Sequence, residues 1–196
     1  MLRFKGSAHL RYRLAYSLLS GRSLRVDDIR ANGSTSGGGE EDVDSVGLSR
    51  AEISLLRLLE KMTNGTKVEI NETGTVLRFK PGVVTGGKLQ HDCGTERGIG
   101  YFVEVVVLLA LFSKKPLAIT FFGITNDQLA PCVDTIRTGT LPLLRKYGVE
   151  PGDLELRVRR RGVRPLGGGE ALLRVPIVRA LTPVDFTEEG LVKRVR

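Results

Sequence analysis

Arg159-Arg160-Arg161-Gly162-Val163-Arg164-Pro165-Leu166-Gly167-Gly168-Gly169-Glu170 is the most informative stretch of this 196-residue chain. Four arginines, Arg159, Arg160, Arg161 and Arg164, precede or flank three consecutive glycines. Glycine has no Cβ, so Gly167, Gly168 and Gly169 allow positive φ and a close approach of backbone. Their amides can line an anion-binding concavity, and arginine adds bidentate contacts to phosphate. The same residues also read as a hairpin turn between strands at 154–160 and 171–178, with the arginines facing water. Physical chemistry alone leaves these two readings level. Alternation along a strand places Arg159 and Arg161 on one face and Arg160 on the other. Arg161 and Arg164, nearest the glycines, are then the favoured pair for a single ligand.

Upstream of this turn the chain alternates between two periodicities. Leu10, Leu14 and Leu18, with Tyr16 and Leu19, predict a helix stopped by Gly21, and Ser23 to Ile29 reads as a strand. Asn32 to Gly47 is rich in Gly and Ser with an acidic run, and is expected to be a disordered insertion. Ser49 with Glu52 three residues on forms a capping-box signal for a helix that ends near Asn64-Gly65. Lys67 to Asn71 and Thr75 to Phe79 are strands around a Glu72-Thr73-Gly74 turn. The pattern then restarts. Leu89 to Cys93 is a strand, Thr95 to Phe112 a more buried helix and Leu117 to Phe122 a strand. Leu129 to Tyr147 is a second helix closed by Gly148. Pro131 is tolerable in its first turn, while Pro142 should kink or split it. Strands at Leu154 to Arg160 and Ala171 to Val178 complete the set.

The order strand, helix, strand, helix, strand, strand thus occurs twice. Leu2-Arg3-Phe4 maps onto Leu89-Gln90-His91, and the helix-ending Gly65 onto Gly148. The expected fold is α+β, a sandwich-like arrangement of tandem β-α-β-α-β-β repeats, each a four-stranded sheet with two helices on one face.

Composition sets the outer bounds. Hydrophobic residues make up 41 % with no Trp, so the core must be aliphatic. The N-terminus lacks the apolar region of a signal peptide, and the apolar run Val105 to Phe112 is far short of a membrane span. Cys93 and Cys132 stand alone and read as buried free thiols, which fits a reducing compartment. The net charge is +8 and is uneven. Residues 1–30 carry seven basic and two acidic side chains, and residues 145–196 carry twelve and seven. Basic ends suit a polyanion partner, although solubility alone also accounts for charge of this size. His9 and His91 are far apart with no ligand spacing, so no metal is expected. There is no Walker loop, and the carboxylates Glu40 and Glu41 lie in the insertion, where acid–base work is not supported. No catalytic residue is assigned.

Arg161-Gly162-Val163-Arg164-Pro165-Leu166-Gly167-Gly168-Gly169-Glu170-Ala171 resembles the signature of the RNA 3′-terminal phosphate cyclases. That signature has an Arg-Gly, two free positions, a Pro, one free position and three glycines; the family continues with an aliphatic residue where this chain has Ala171. Ile29-Arg30-Ala31, Pro81-Gly82-Val83-Val84-Thr85-Gly86-Gly87, Gly123-Ile124-Thr125-Asn126-Asp127 and Leu141-Pro142-Leu143-Leu144 agree in order. The resemblance implies a large domain of β/α repeats with a smaller domain inserted late. Residues 1–80 would be the first repeat with its disordered insertion at 32–47, residues 81–180 the second, and 181–196 the truncated start of the inserted domain.

The departures from the family pattern choose the branch. Cyclases open with a Gly-Glu-Gly-Gly-Gly-Gln element that helps to hold nucleotide and metal; here the matching stretch is Lys5-Gly6-Ser7-Ala8-His9-Leu10-Arg11. Arg11 falls on the arginine that follows that element, and Arg30 on a second basic active-site position. The nucleophilic histidine of the cyclases lies beyond Arg196. Phe102, Leu117 and the phrase Gly123 to Pro131 resemble the cyclase-like proteins of ribosome biogenesis. This implies a non-catalytic factor in early small-subunit (18S) pre-rRNA processing in the nucleolus of the nucleus. Its partners would be pre-rRNA or a small nucleolar RNP and a ribosome-assembly GTPase, with no cofactor, no metal and no membrane. The alternative is an ATP-dependent RNA 3′-terminal phosphate cyclase. The candidate RNA- or anion-binding residues are Arg11, Arg30, Arg159, Arg160, Arg161, Arg164, Gly167, Gly168 and Gly169.

Overall fold

Strand β1 (Leu2–Lys5) turns Leu2 and Phe4 inward and Arg3 and Lys5 outward. The chain belongs to a computed structural model that describes residues 1–31, 46–150, 152–185 and 187. Gly6 leaves β1 at φ 69°, and Arg13 donates to its carbonyl at 2.9 Å. Helix α1 (Leu10–Ser20) follows, burying Leu10, Leu14 and Leu18 as expected. Tyr16 and Leu19 are exposed, contrary to expectation. At 100° per residue they fall on the far side of the helix from Leu14, and Ala15 and Ser17 fill the inner face instead. Gly21 ends the helix in the left-handed conformation. Strand β2 (Leu24–Asp27) runs parallel to β1.

Helix α2 (Arg50–Met62) starts on the expected capping box. Ser49 Oγ accepts from the Glu52 amide at 3.2 Å, and Glu52 accepts from the Ser49 amide at 2.8 Å. Most of the predicted insertion, residues 32–45, lies outside the described residues. Short strand β3 (Thr63–Asn64) leads to β4 (Lys67–Ile70) and β5 (Leu77–Lys80), and the first sheet has the order β1-β2-β5-β4. β3 pairs with β6 (Val83–Val84) in a small extra ladder. Two residues per strand are too few to show a period, so the sequence carries no sign of it.

The second half repeats the plan. It comprises β7 (Gly87–Asp92), α3 (Ile99–Ala110), β8 (Leu117–Gly123), a broken helix, β9 (Glu155–Arg160) and β10 (Gly169–Val175). The sheet order is β7-β8-β10-β9, with a parallel first pair followed by antiparallel ones, matching the first sheet strand for strand. The tandem α+β fold is therefore present. Two helix boundaries differ from expectation. Residues Thr95 to Gly98 are not helical, because Asp127 Oδ2 takes the Gly98 amide and sets the start of α3 there. The predicted 129–147 helix begins at Val133, so Pro131 stands ahead of it. It splits into α4 (Val133–Thr135), a π-helical turn (Ile136–Thr140) and α5 (Leu141–Lys146). The widened turn sits just before Pro142, where a regular helix would need an amide that proline lacks and room that its ring takes. Cys132 is half-buried rather than buried, since its sulfur caps α4, accepting from the Thr135 amide at 3.4 Å. Cys93 is buried, and both thiols are free.

One continuous core joins the two halves. Its largest fully buried side chains are Phe79, Phe102 and Phe121, set among leucines, valines and isoleucines. Across the repeats α1 packs on α3 and α2 packs on β7. At the second crossing His91 is only 4 % exposed. Its Nε2 lies 3.0 Å from Ser54 Oγ on α2, and its ring meets Phe102 at 5.5 Å.

Burial pushes the His91 pKa down to about 4; nearby Lys61 adds to the shift and Asp92 opposes it. The unfolded chain, with an ordinary pKa of 6.5, binds this proton more readily. Stability from His91 is therefore complete above pH 6.5 and is lost as pH falls toward 4. From pH 7.5 to 5 the loss is about 2 kcal/mol. Urea unfolding should show that drop in the native chain and a smaller one in His91→Gln. Equal midpoints at the two pH values in the native chain would contradict the burial of a neutral ring.

Candidate functional site

The arginine–glycine segment forms the tip between β9 and β10. Its glycines are used for close packing. A Cβ on Gly162 would overlap the Gly169 amide, and one on Gly169 would lie 2.5 Å from the Gly123 carbonyl. Thr125 locks the same point: its amide donates to the Gly162 carbonyl at 2.8 Å, and its hydroxyl accepts from the Gly162 amide at 3.2 Å. Gly167 and Gly168 take φ of 70° and 75° and turn the chain. Gly167 donates to the Val163 carbonyl at 2.8 Å. Gly168 alone of the three has open space around it. Leu166, at the tip, is 91 % exposed.

The four arginines are dispersed, not gathered. Arg159 pairs with Glu170 at 2.8 Å on β10. Arg161 pairs with Asp134 on α4, whose carboxyl it holds below the usual range. Arg164 donates to the Glu96 carbonyl. Arg160 is exposed and has no partner among the described residues. The expected alternation of Arg159 and Arg161 on one face does not hold. A bulge between Glu170 and Ala171 shifts the register, and Arg160 is the last residue of the strand.

Arg11 and Arg30 are brought together at the junction of the two repeats. Arg11 pairs with Glu104 on α3 at 2.9 Å and lies between the rings of Tyr12 and Tyr101, 4.8 Å from each centroid. Arg30, at φ 42°, donates to the Gly47 carbonyl at 2.7 Å and pairs with Glu52. Both face the partly buried Tyr101, whose phenol is raised above its ordinary range by burial and then by Glu52, against the effect of Arg11, Arg97 and Arg30. Glu96 joins this junction to the glycine tip: its carboxylate accepts from the Ala51 amide at 3.0 Å, and its carbonyl takes Arg164. The loop from Gly6 to His9 completes the wall, with the Gly6 amide on the Asp27 carbonyl at 2.9 Å.

Sequence reasoning found the basic residues here and missed their carboxylates. Glu52 was visible as a capping residue, and Asp127 as part of a shared phrase. Nothing in the pattern marked Tyr101, Glu96 or Glu104, which are spread along a loop and a buried helix. Among the described residues no three His, Cys, Asp or Glu side chains converge as a metal site. No described helix is long and apolar enough to cross a membrane.

Two four-stranded β-α-β-α-β-β units packed α1 on α3 and α2 on β7, the second closed by a glycine-locked tip, define a class, and comparison assigns it. The chain belongs to the RNA 3′-terminal phosphate cyclase family, whose sequence profile matches residues 2–192. It is 46 % identical over its whole length to a probable RNA 3′-terminal phosphate cyclase-like protein of Dictyostelium discoideum. It is 44 % identical to the RNA 3′-terminal phosphate cyclase-like protein of Mus musculus. Over 99 % of the chain it is 40 % identical to the rRNA processing protein rcl1 of Schizosaccharomyces pombe. The chain spans about half the length of these relatives, 50 %, 50 % and 51 % respectively.

Two substitution pairs test this account of the site. Gly162→Ala should cost about 3–5 kcal/mol in chemical denaturation, because backbone must move; Gly168→Ala should cost only about 1–2, the strain of a left-handed residue. Equal costs would mean that the glycines are not packed as described. Arg30→Ala leaves the Glu52 carboxylate buried and unpaired, at about 3 kcal/mol or more. Arg160→Ala, on the surface, should stay within about 0.5 kcal/mol.

Proposed function

We propose that this chain is the N-terminal portion of a non-catalytic factor for early small-subunit (18S) pre-rRNA processing. In this reading it acts in the nucleolus, where it holds pre-rRNA or a small nucleolar RNP against a ribosome-assembly GTPase. Residues 1–80 and 81–180 form its two repeats, and 181–196 opens the inserted domain; most of 181–196 lies outside the described residues. The observation that carries the proposal is the engagement of Arg11 and Arg30. Both fall on positions that the family resemblance places at the cyclase active site. Here each holds a carboxylate of its own chain, Glu104 and Glu52, across the repeat junction. A guanidinium committed to a buried ion pair is expensive to withdraw for a substrate phosphate. The Lys5 to Arg11 stretch also lacks the carboxylate and glycine run that hold nucleotide and metal in cyclases. The names of the relatives, cyclase-like and rRNA processing, support the same branch.

Two measurements test the proposal. Incubation with labelled ATP and a 3′-phosphorylated RNA should give neither adenylated protein nor a cyclic phosphate end; a cyclised product would instead support the ATP-dependent cyclase. Depletion in the source organism should make precursors of 18S rRNA accumulate while large-subunit rRNA matures normally. Normal 18S maturation would overturn the assignment.

A further inference from the structure

The two sheets share one topology and carry different charge on their open faces. On the second sheet the outward cations Lys88, Arg157, Arg159, Arg160 and Arg174 stand against Asp92, Glu155 and Glu170. Three of the five are ion-paired: Arg157 and Arg174 with Glu155, and Arg159 with Glu170. The first sheet is not balanced in this way. Its outward cations are Arg3, Lys5, Arg25, Lys67, Arg78 and Lys80, against Asp27 and Glu69. Six minus two leaves +4, where the second sheet has +2 from five minus three.

The placement of these charges is as telling as their number. The strand register puts Arg3 beside Arg25 and Arg25 beside Arg78, three arginines in one row across three strands. Lys67 lies directly opposite Lys80. Like charges in facing positions destabilise a sheet, and a face built only for solubility would intersperse the signs. Asp27 is already bound to Arg25, with Nε to Oδ1 at 2.8 Å. Glu69 reaches Arg78 only at 3.7 Å. Among the described residues Lys67 and Lys80 have no partner, and Arg3 has only the nearby charge of Asp27. Strands lie about 4.8 Å apart, so the face spreads these cations over roughly 15 Å. It offers no aromatic side chain: Phe4 and Phe79 both point into the core. Without a stacking platform, unpaired bases have nothing to lie on.

We infer that the open face of the first sheet, through Arg3, Lys67, Arg78 and Lys80, binds the phosphate backbone of folded RNA without reading its sequence. This rests on the pre-rRNA role proposed above and moves the RNA contact away from the arginine–glycine tip, whose cations are largely committed internally. Positioning by phosphate contact is the usual task of such a surface, and duplex RNA is recognised by shape and backbone.

The test is fluorescence anisotropy of a labelled RNA hairpin titrated with the native chain and two variants across about 50–200 mM salt. Arg3→Gln with Arg78→Gln and Lys80→Gln should weaken binding at least tenfold. At ~0.9 per duplex contact, the triple variant should also flatten the log–log salt slope by between about 2 and 3. Thermal stability should be unchanged or higher, because facing like charges are removed. Lys88→Gln with Arg157→Gln and Arg174→Gln removes the same net charge from the other sheet and should change affinity less than twofold. A hairpin of unrelated sequence should bind equally, and polyglutamate of matched charge should compete poorly. Equal loss in both variants would reduce the effect to overall charge and overturn the inference. Loss only in the second-sheet variant, or effective competition by polyglutamate, would also overturn it, and the pre-rRNA role would survive on another surface. No RNA binding by the native chain at low salt would remove both the face and the RNA contact of this half.

Discussion

Three stretches of backbone meet at Gly123, Gly162 and Gly169 with no side chain between them, and the architecture around the site follows from that contact. Gly123 ends β8, Gly162 opens the tip after β9, and Gly169 begins β10. Only residues without a Cβ can bring the ends of these strands so close. Thr125 then bonds both backbone groups of Gly162, which fixes the chain leaving β8. Two residues further on, Asp127 takes the Gly98 amide and so sets where α3 starts. Tyr101 and Glu104 stand on the first turns of α3, and through them the position of Arg11 is set as well. The tip is thus the origin of a chain of constraints that reaches the first repeat.

The overall plan was legible because each element carried its own period or cap. The Ser49–Glu52 box placed the start of α2 to the residue, though the helix ends at Met62, earlier than Asn64-Gly65. The alternation in β4, β5 and β7 to β9 gave strands within a residue or two, while β10 ends at Val175 rather than Val178. The restart of the pattern near Leu89 revealed the duplication. Errors arose where a distant residue overrode a local signal. Thr95 to Gly98 looks helical alone, but Asp127 claims the amide that decides the start. Tyr16 and Leu19 are apolar, yet the helical period turns them to solvent.

The site was less legible, for a physical reason. Arginines cluster visibly in a sequence, while the carboxylates that bind them come from other elements and leave no local mark. The run Arg159 to Arg164 suggested one cationic patch. Folding sends Arg159 to β10, Arg161 to α4 and Arg164 to the loop before α3. Conversely, Arg3, Arg25 and Arg78 are far apart in the chain and form one row once the strands pair. Charge density along a chain and charge density on a surface are different quantities, and strand register converts one into the other.

The packing of α2 onto β7 bears on how such a molecule came to exist. Helix α2 of the first unit is covered in part by β7 of the second, and α1 by α3. Duplication tethers two copies of one unit in a single polypeptide, so that a face one copy leaves open is covered by the other without a concentration-dependent encounter. Once tethered, the two copies no longer needed identical surfaces. One sheet could keep its balanced ion pairs while the other drifted toward a single sign, so that internal symmetry in the backbone coexists with asymmetry in what each half shows to the outside.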